Sequence, residues 1–191
     1  MTTNMISPRA EARVCGVLYL LNMLTGIAAM VLLSRKMQGA GDTMNLIAAV
    51  LYTGVTLLLW HLFYSAQAWI SSLAALVSLL GCWLPLARYQ ALDLPIHVTS
   101  FIFFGLYCLL LAYLILKSTL MSKVVGVLMA CAGVAWLTTM SLGLTRVLGP
   151  LPLSVGLIGE GSLILYLLVW GVRDQQGPKQ AQALPPTMHS A

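Results

Sequence analysis

Twenty near-continuous apolar residues, Leu153–Val172, carry a single acid, Glu160, at their middle. A carboxyl group placed in hydrocarbon costs several kcal/mol unless it is protonated, paired or hydrated, so an acid kept there marks a candidate site. Gly156, Gly159 and Gly161 surround it, and residues without a side chain let either a neighbouring backbone or a ligand approach closely. Two kinds of chemistry fit. The carboxyl binds a cation or proton, or activates a small ligand, in a polar pocket. In the alternative, a neutral Glu160 donates a hydrogen bond to Ser100, Thr25 or Asn22 and holds helices in register.

The polar groups able to join Glu160 are few: Asn22, Thr25, Thr53, His97 and Ser100, each inside or at the edge of an apolar run. At 1.5 Å per helical residue, Glu160 lies about 10 Å below Leu153, Ser100 about 7 Å and His97 about 3 Å below Pro95, and Thr53 and Thr25 about 12 Å from their own helix ends. Glu160, Ser100, Thr53 and Thr25 therefore share one layer, with Asn22 a turn deeper and His97 a turn higher. A histidine, a serine and an acid do not by themselves make a nucleophilic triad. The Gly-x-Ser-x-Gly elbow that would present a nucleophile is missing, and no catalytic residue is assigned. His61 and His97 fall toward opposite faces, and Cys15, Cys82, Cys108 and Cys131 sit in apolar runs without a CxxC pair. They read as small buried hydrophobes, so neither a metal nor a cofactor is expected.

The elements that must position these groups follow from composition. Of 191 residues, 60% are hydrophobic and 8% charged, against roughly a quarter charged in soluble domains. Apolar runs long enough for a hydrocarbon core of about 30 Å recur along the chain. The fold class is all-α, a polytopic transmembrane bundle of six spans at about 14–33, 45–64, 68–86, 95–116, 124–144 and 153–172. Residues 1–13 form a leader in which Ser7-Pro8 suits a helix start, and 173–191 read as a disordered polar tail. Ser34–Met44 and Thr145–Pro152 read as loops. The Ser65–Gln67 connection is so short that spans two and three must form an antiparallel hairpin. Trp60, His61, Phe63 and Tyr64 suit the headgroup level at one end of that hairpin. Gly126 and Ala130 give span five a small-residue face for close helix approach.

The net charge of +5 is spread over loops and tails without a basic stripe, which excludes a nucleic-acid partner. Arg9, Arg13, Lys117, Lys123, Arg173 and Lys179 fall on the side of the termini, and Arg35, Lys36, Arg88 and Arg146 on the other. The excess of basic residues places both termini in the cytoplasm. The lipid bilayer is the first partner, with another membrane protein or a second copy as a further one.

Three blocks, Arg13-Val-Cys-Gly-Val-Leu-Tyr-Leu20, Phe103-Phe-Gly-Leu through Tyr113-Leu-Ile-Leu-Lys-Ser118 to Leu128, and Gly159-Glu160 through Gly171-Val172, follow one another in a familiar order. In this the chain resembles a bacterial family of six-span membrane proteins catalogued as a domain of unknown function. Ala112 and Ser122 stand where that pattern has glycine and proline. The resemblance implies the fold, the inner-membrane compartment and the Glu160 position, and it names no reaction. The functional expectation is a small transporter, channel or ligand-binding membrane protein built on the Glu160 layer. Its rival is an accessory subunit that packs against another membrane protein, and an intramembrane hydrolase comes third.

Overall fold

A computed structural model describes residues 7–91, 96–139 and 141–172, with the side chains of these except at 85–91, 96–101, 142 and 145. Among the described residues there are six helices: α1 (Pro8–Ser34), α2 (Gln38–Ala91), α3 (Ile96–Lys117), α4 (Lys123–Thr138), α5 (Leu142–Leu148) and α6 (Leu151–Val169). Three of the described helices are long and apolar enough to cross a membrane: Pro8–Ser34, the 47-residue stretch Gln38–Leu84, and Leu151–Val169. Ile102–Lys117 and Lys123–Thr138 are apolar but shorter. Among the described residues the fold is all-helical, and its apolar helices suit a membrane protein in contact with lipid.

Local chemistry explains the ends. Ser7 accepts from the Ala10 amide at 3.3 Å, and Pro8 opens α1 with a fixed φ and no lost donor. Lys36 closes that helix at φ 61°, with Lys36 N bonded to Leu33 O and Met37 N to Leu32 O, both at 3.0 Å. These bonds are the paired arrangement of a left-handed helix cap, here made without glycine. The loop expected over Ser34–Met44 shrinks to 35–37, because α2 starts at once. Gly41 makes this possible, since a Cβ there would lie 2.6 Å from Leu33 Cγ.

α2 folds back on itself at Gln67, whose φ of −160° and ψ of 85° are extended. Its arms, 38–66 and 68–91, run antiparallel and are laced by polar side chains. Trp83 Nε1 donates to Thr53 Oγ1 at 3.0 Å, Thr56 and Ser78 share a buried bond of 2.7 Å, and Trp60 Nε1 donates to Ser72 Oγ at 3.1 Å. Ser71 donates to the Trp60 carbonyl at 2.9 Å. In an apolar medium such hydroxyls have few other partners, so the ladder fixes the register of the hairpin.

The span expected over 124–144 stops at Thr138. Thr138 and Thr139 turn their hydroxyls onto the Ala135 and Trp136 carbonyls at 2.7 and 2.6 Å, a local bonding that competes with helix propagation. The chain then forms the short α5 where Thr145–Pro152 had read as loop. Phe63 is fully buried in the core. Cys15, Cys82 and Cys108 are buried as expected of small hydrophobes, whereas Cys131 is exposed. The first residues of the leader, and the tail expected over 173–191, lie outside the described residues.

Helices pack in chain order, α1 on α2, α2 on α3, α3 on α4 and α4 on α6, and α6 returns to α1. Gly16 sits where α1 meets α6, and a Cβ there would touch Leu168 at 3.0 Å. Inside the ring Tyr52 packs edge-on against Tyr19, Phe104 and Tyr107, with centroids 5.7, 5.4 and 5.9 Å away. Such edge-to-face contacts favour a single arrangement of the rings.

Candidate functional site

Glu160 lies in the middle of α6, one turn beyond Gly156 and next to Gly159. Gly159 presses on α4, where a Cβ would lie 2.6 Å from both Ala132 Cβ and Leu128 O. Gly156 makes room for the Trp136 indole, which a Cβ would meet at 2.8 Å. With α4 held that close, Trp136 Nε1 donates to Glu160 Oε1 at 2.9 Å. From the other side, the buried Tyr19 of α1 donates its hydroxyl to Oε2 at 3.3 Å. The carboxyl thus ties three helices, and both of its oxygens accept.

It is not sealed in. Glu160 is half-buried and lines a cavity of about 400 Å³. Asn22 and Gly26 of α1, Asn45 and Tyr52 from the first arm of α2, Cys82 from the second, Phe104 of α3 and Trp136 share its wall. A volume of this size falls in the range of small-ligand pockets, which are mostly apolar with a few convergent polar groups.

The predicted layer is only partly assembled here. Glu160 and Asn22 line the cavity together. Thr25 bonds back to the Leu21 and Asn22 carbonyls, each at 2.9 Å. Thr53 donates to the Ala49 carbonyl at 2.8 Å and accepts from Trp83. Both threonines are therefore used within or between their own helices, and neither bonds to the acid. His97 and Ser100 belong to α3, but their side chains lie outside the described residues. The donors that do reach Glu160 are Tyr19 and Trp136, neither of them among the polar groups expected to join it. Tyr19 could have been found, because it stands three and seven residues before Asn22 and Gly26 on one helical stripe. Nothing local marks Trp136 apart from its place at the end of the Gly126–Gly133 small-residue run.

One further polar group stands out. The buried Tyr107 hydroxyl has no hydrogen-bond partner among the described residues. No cluster of three or more His, Cys, Asp or Glu able to hold a metal ion occurs among them either. At the opposite end of α1, Glu11 Oε1 pairs with the exposed His61 Nδ1 at 2.6 Å.

No family model matches this chain, and no curated protein or solved structure matches it.

Proposed function

We propose that the chain is a six-span bundle of a bacterial inner membrane, with both termini cytoplasmic, whose Glu160 cavity binds a small ligand for transport or sensing. The observation that carries this reading is the half-buried carboxyl. It is held by Tyr19 and Trp136 yet stays on the wall of a cavity of about 400 Å³. An acid serving only to pin helices gains nothing from an open space beside it. Six spans are supported by the fold-back at Gln67, which turns α2 into two long arms. They are also supported by the antiparallel packing of α6 beside α1, where a Cβ on Gly171 would lie 3.4 Å from Arg9 O, bringing both ends of the helical region together. The bacterial inner-membrane compartment follows the three-block resemblance to the six-span family.

The rival reading, an accessory subunit, loses its main support. The small-residue face of α4 is used inside the molecule: Gly126 packs on Leu116 and Ile115, and Gly133 lies against Gly105 O and Leu109. A hydrolase would need a nucleophile bonded beside the acid, and among the described residues the side chains that hold Glu160 are a phenol and an indole.

Sided cysteine labelling tests the proposal. In a cysteine-free background, Asn45→Cys should react with a small membrane-impermeant thiol reagent applied outside, and so should Ser34→Cys. Gln176→Cys should react only from inside. Reaction of Asn45→Cys from the cytoplasmic face would reverse the topology. Failure to react from either face would close the cavity to ligands and leave Glu160 a structural acid.

A further inference from the structure

We infer that the ligand of the Glu160 cavity is an organic ammonium, a protonated amine on an apolar or aromatic body, and not a metal ion or a neutral solute. The inference rests on the ligand-binding reading above and narrows it. Four observations converge.

The first is charge. Glu160 brings the only ionisable carboxyl or amine among the described residues of the cavity wall, where no Lys, Arg or His accompanies it. A ligand that supplies the opposite charge completes the site, and a charge-assisted N–H···O bond to a carboxylate is among the stronger polar contacts available. The second is the direction of the protein's own bonds. Tyr19 O–H and Trp136 N–H both point at the carboxyl, one to each oxygen, an arrangement suited to an acceptor. The remaining lone pairs of those oxygens are where an ammonium can donate.

The third is the company of rings. Tyr52, Phe104 and Trp136 line the same cavity, and aromatic faces attract organic cations, most strongly where water is excluded. A metal ion is served much less well. Calcium and magnesium take about six to eight oxygen ligands at short range, and the remaining oxygen-bearing side chains of the described wall are Asn22, Asn45 and Tyr52. The fourth is the rim. Ile27 and Met30 of α1 and Leu153 of α6 line the cavity and are exposed, so its mouth is apolar. The geometry suits a ligand with its cation at Glu160 and its hydrocarbon toward the α1–α6 seam.

The test uses the purified full-length protein in lipid nanodiscs, with 2-phenylethylamine, its near-isostere 2-phenylethanol and sodium chloride as separate probes. Intrinsic tryptophan fluorescence and melting temperature are the readouts. The amine, cationic at neutral pH, should quench fluorescence saturably and raise the melting temperature. The alcohol should bind at least tenfold more weakly, and Glu160→Gln should weaken the amine at least tenfold without altering the alcohol. The amine–alcohol comparison on the unaltered protein stands even if the variant misfolds. Equal binding of alcohol and amine, or stabilisation by sodium alone, would overturn the ammonium class while leaving a ligand-binding cavity intact. If neither organic probe binds and Asn45→Cys still labels, the ammonium inference fails alone. If Asn45→Cys does not label from either face, both readings fail.

Discussion

In the α2 hairpin, Trp83 bonds to Thr53, Thr56 to Ser78, and Trp60 to Ser71 and Ser72 across the two arms, and the central Thr56–Ser78 pair is buried at 2.7 Å. Around Glu160, Tyr19 and Trp136 converge on an acid that still faces open space. Both regions carry polar groups into apolar surroundings. The first uses them up internally and gains register. The second keeps part of its bonding capacity directed at a cavity. Buried polar side chains thus serve two ends in one small protein: those that close on each other build the scaffold, and those left facing a space are available to a ligand.

That contrast can be broken by substitution, and the largest effect should come from neither set of polar groups. Gly159→Leu would drive a side chain into Ala132 and the Leu128 carbonyl, both 2.6 Å from where its Cβ must go. Overpacking of this kind costs about 1–3 kcal/mol, and contact with backbone puts this site at the upper end. Denaturation in detergent should show it clearly. A melt like that of the unaltered protein would mean that α4 and α6 can separate freely.

Next in size is the hairpin ladder. Thr56→Val leaves the Ser78 hydroxyl buried without its partner, a loss of about 1–3 kcal/mol. Adding Ser78→Ala should recover most of that loss, since two matched apolar groups replace the pair. An additive double variant would show that the two hydroxyls do not depend on each other. Glu160→Leu should fall in the same range of about 1–3 kcal/mol, because it strands the Tyr19 and Trp136 donors.

Glu160→Gln sharpens the comparison. The amide oxygen can still accept, so stability should change by less than about 1 kcal/mol, while amine binding is lost. Loss of fold with Gln would make the acid part of the scaffold after all. The smallest effect belongs to Tyr107→Phe. Removing a buried hydroxyl that has no partner among the described residues should leave the melting temperature unchanged or slightly raised, and a clear drop would reveal a bond to that oxygen.

Much of the scaffold was legible in the sequence. Long apolar runs gave the helices, and the brief Ser65–Gln67 connection gave the hairpin, because backbone groups in lipid leave little choice but helix. Glu160 was legible as the lone acid of its run. Its partners were not. Depth along a helix follows from counting residues, but which faces meet depends on the rotation of each helix, and that is set by distant contacts such as Gly156 against Trp136. Thr25 and Thr53, expected in the acid's layer from depth alone, spend their hydroxyls on backbone carbonyls of their own helices and, for Thr53, on Trp83. Helix ends differ for a related reason. Ser34–Met44 reads as a loop, yet Gly41 lets α2 start within it, close against Leu33.

The bond between Tyr19 and Glu160 spans 141 positions of the chain. At a synthesis rate of about 5–20 residues per second, Tyr19 waits roughly 7–28 s for its acid. During that interval Tyr52 and then Trp136 are made, while the carboxyl that Tyr19 and Trp136 are to hold does not yet exist. The pocket acquires its carboxyl late, with the same helix that closes the ring against α1. A nascent chain stalled before α6 would therefore expose an open seam and an uncharged, aromatic interior.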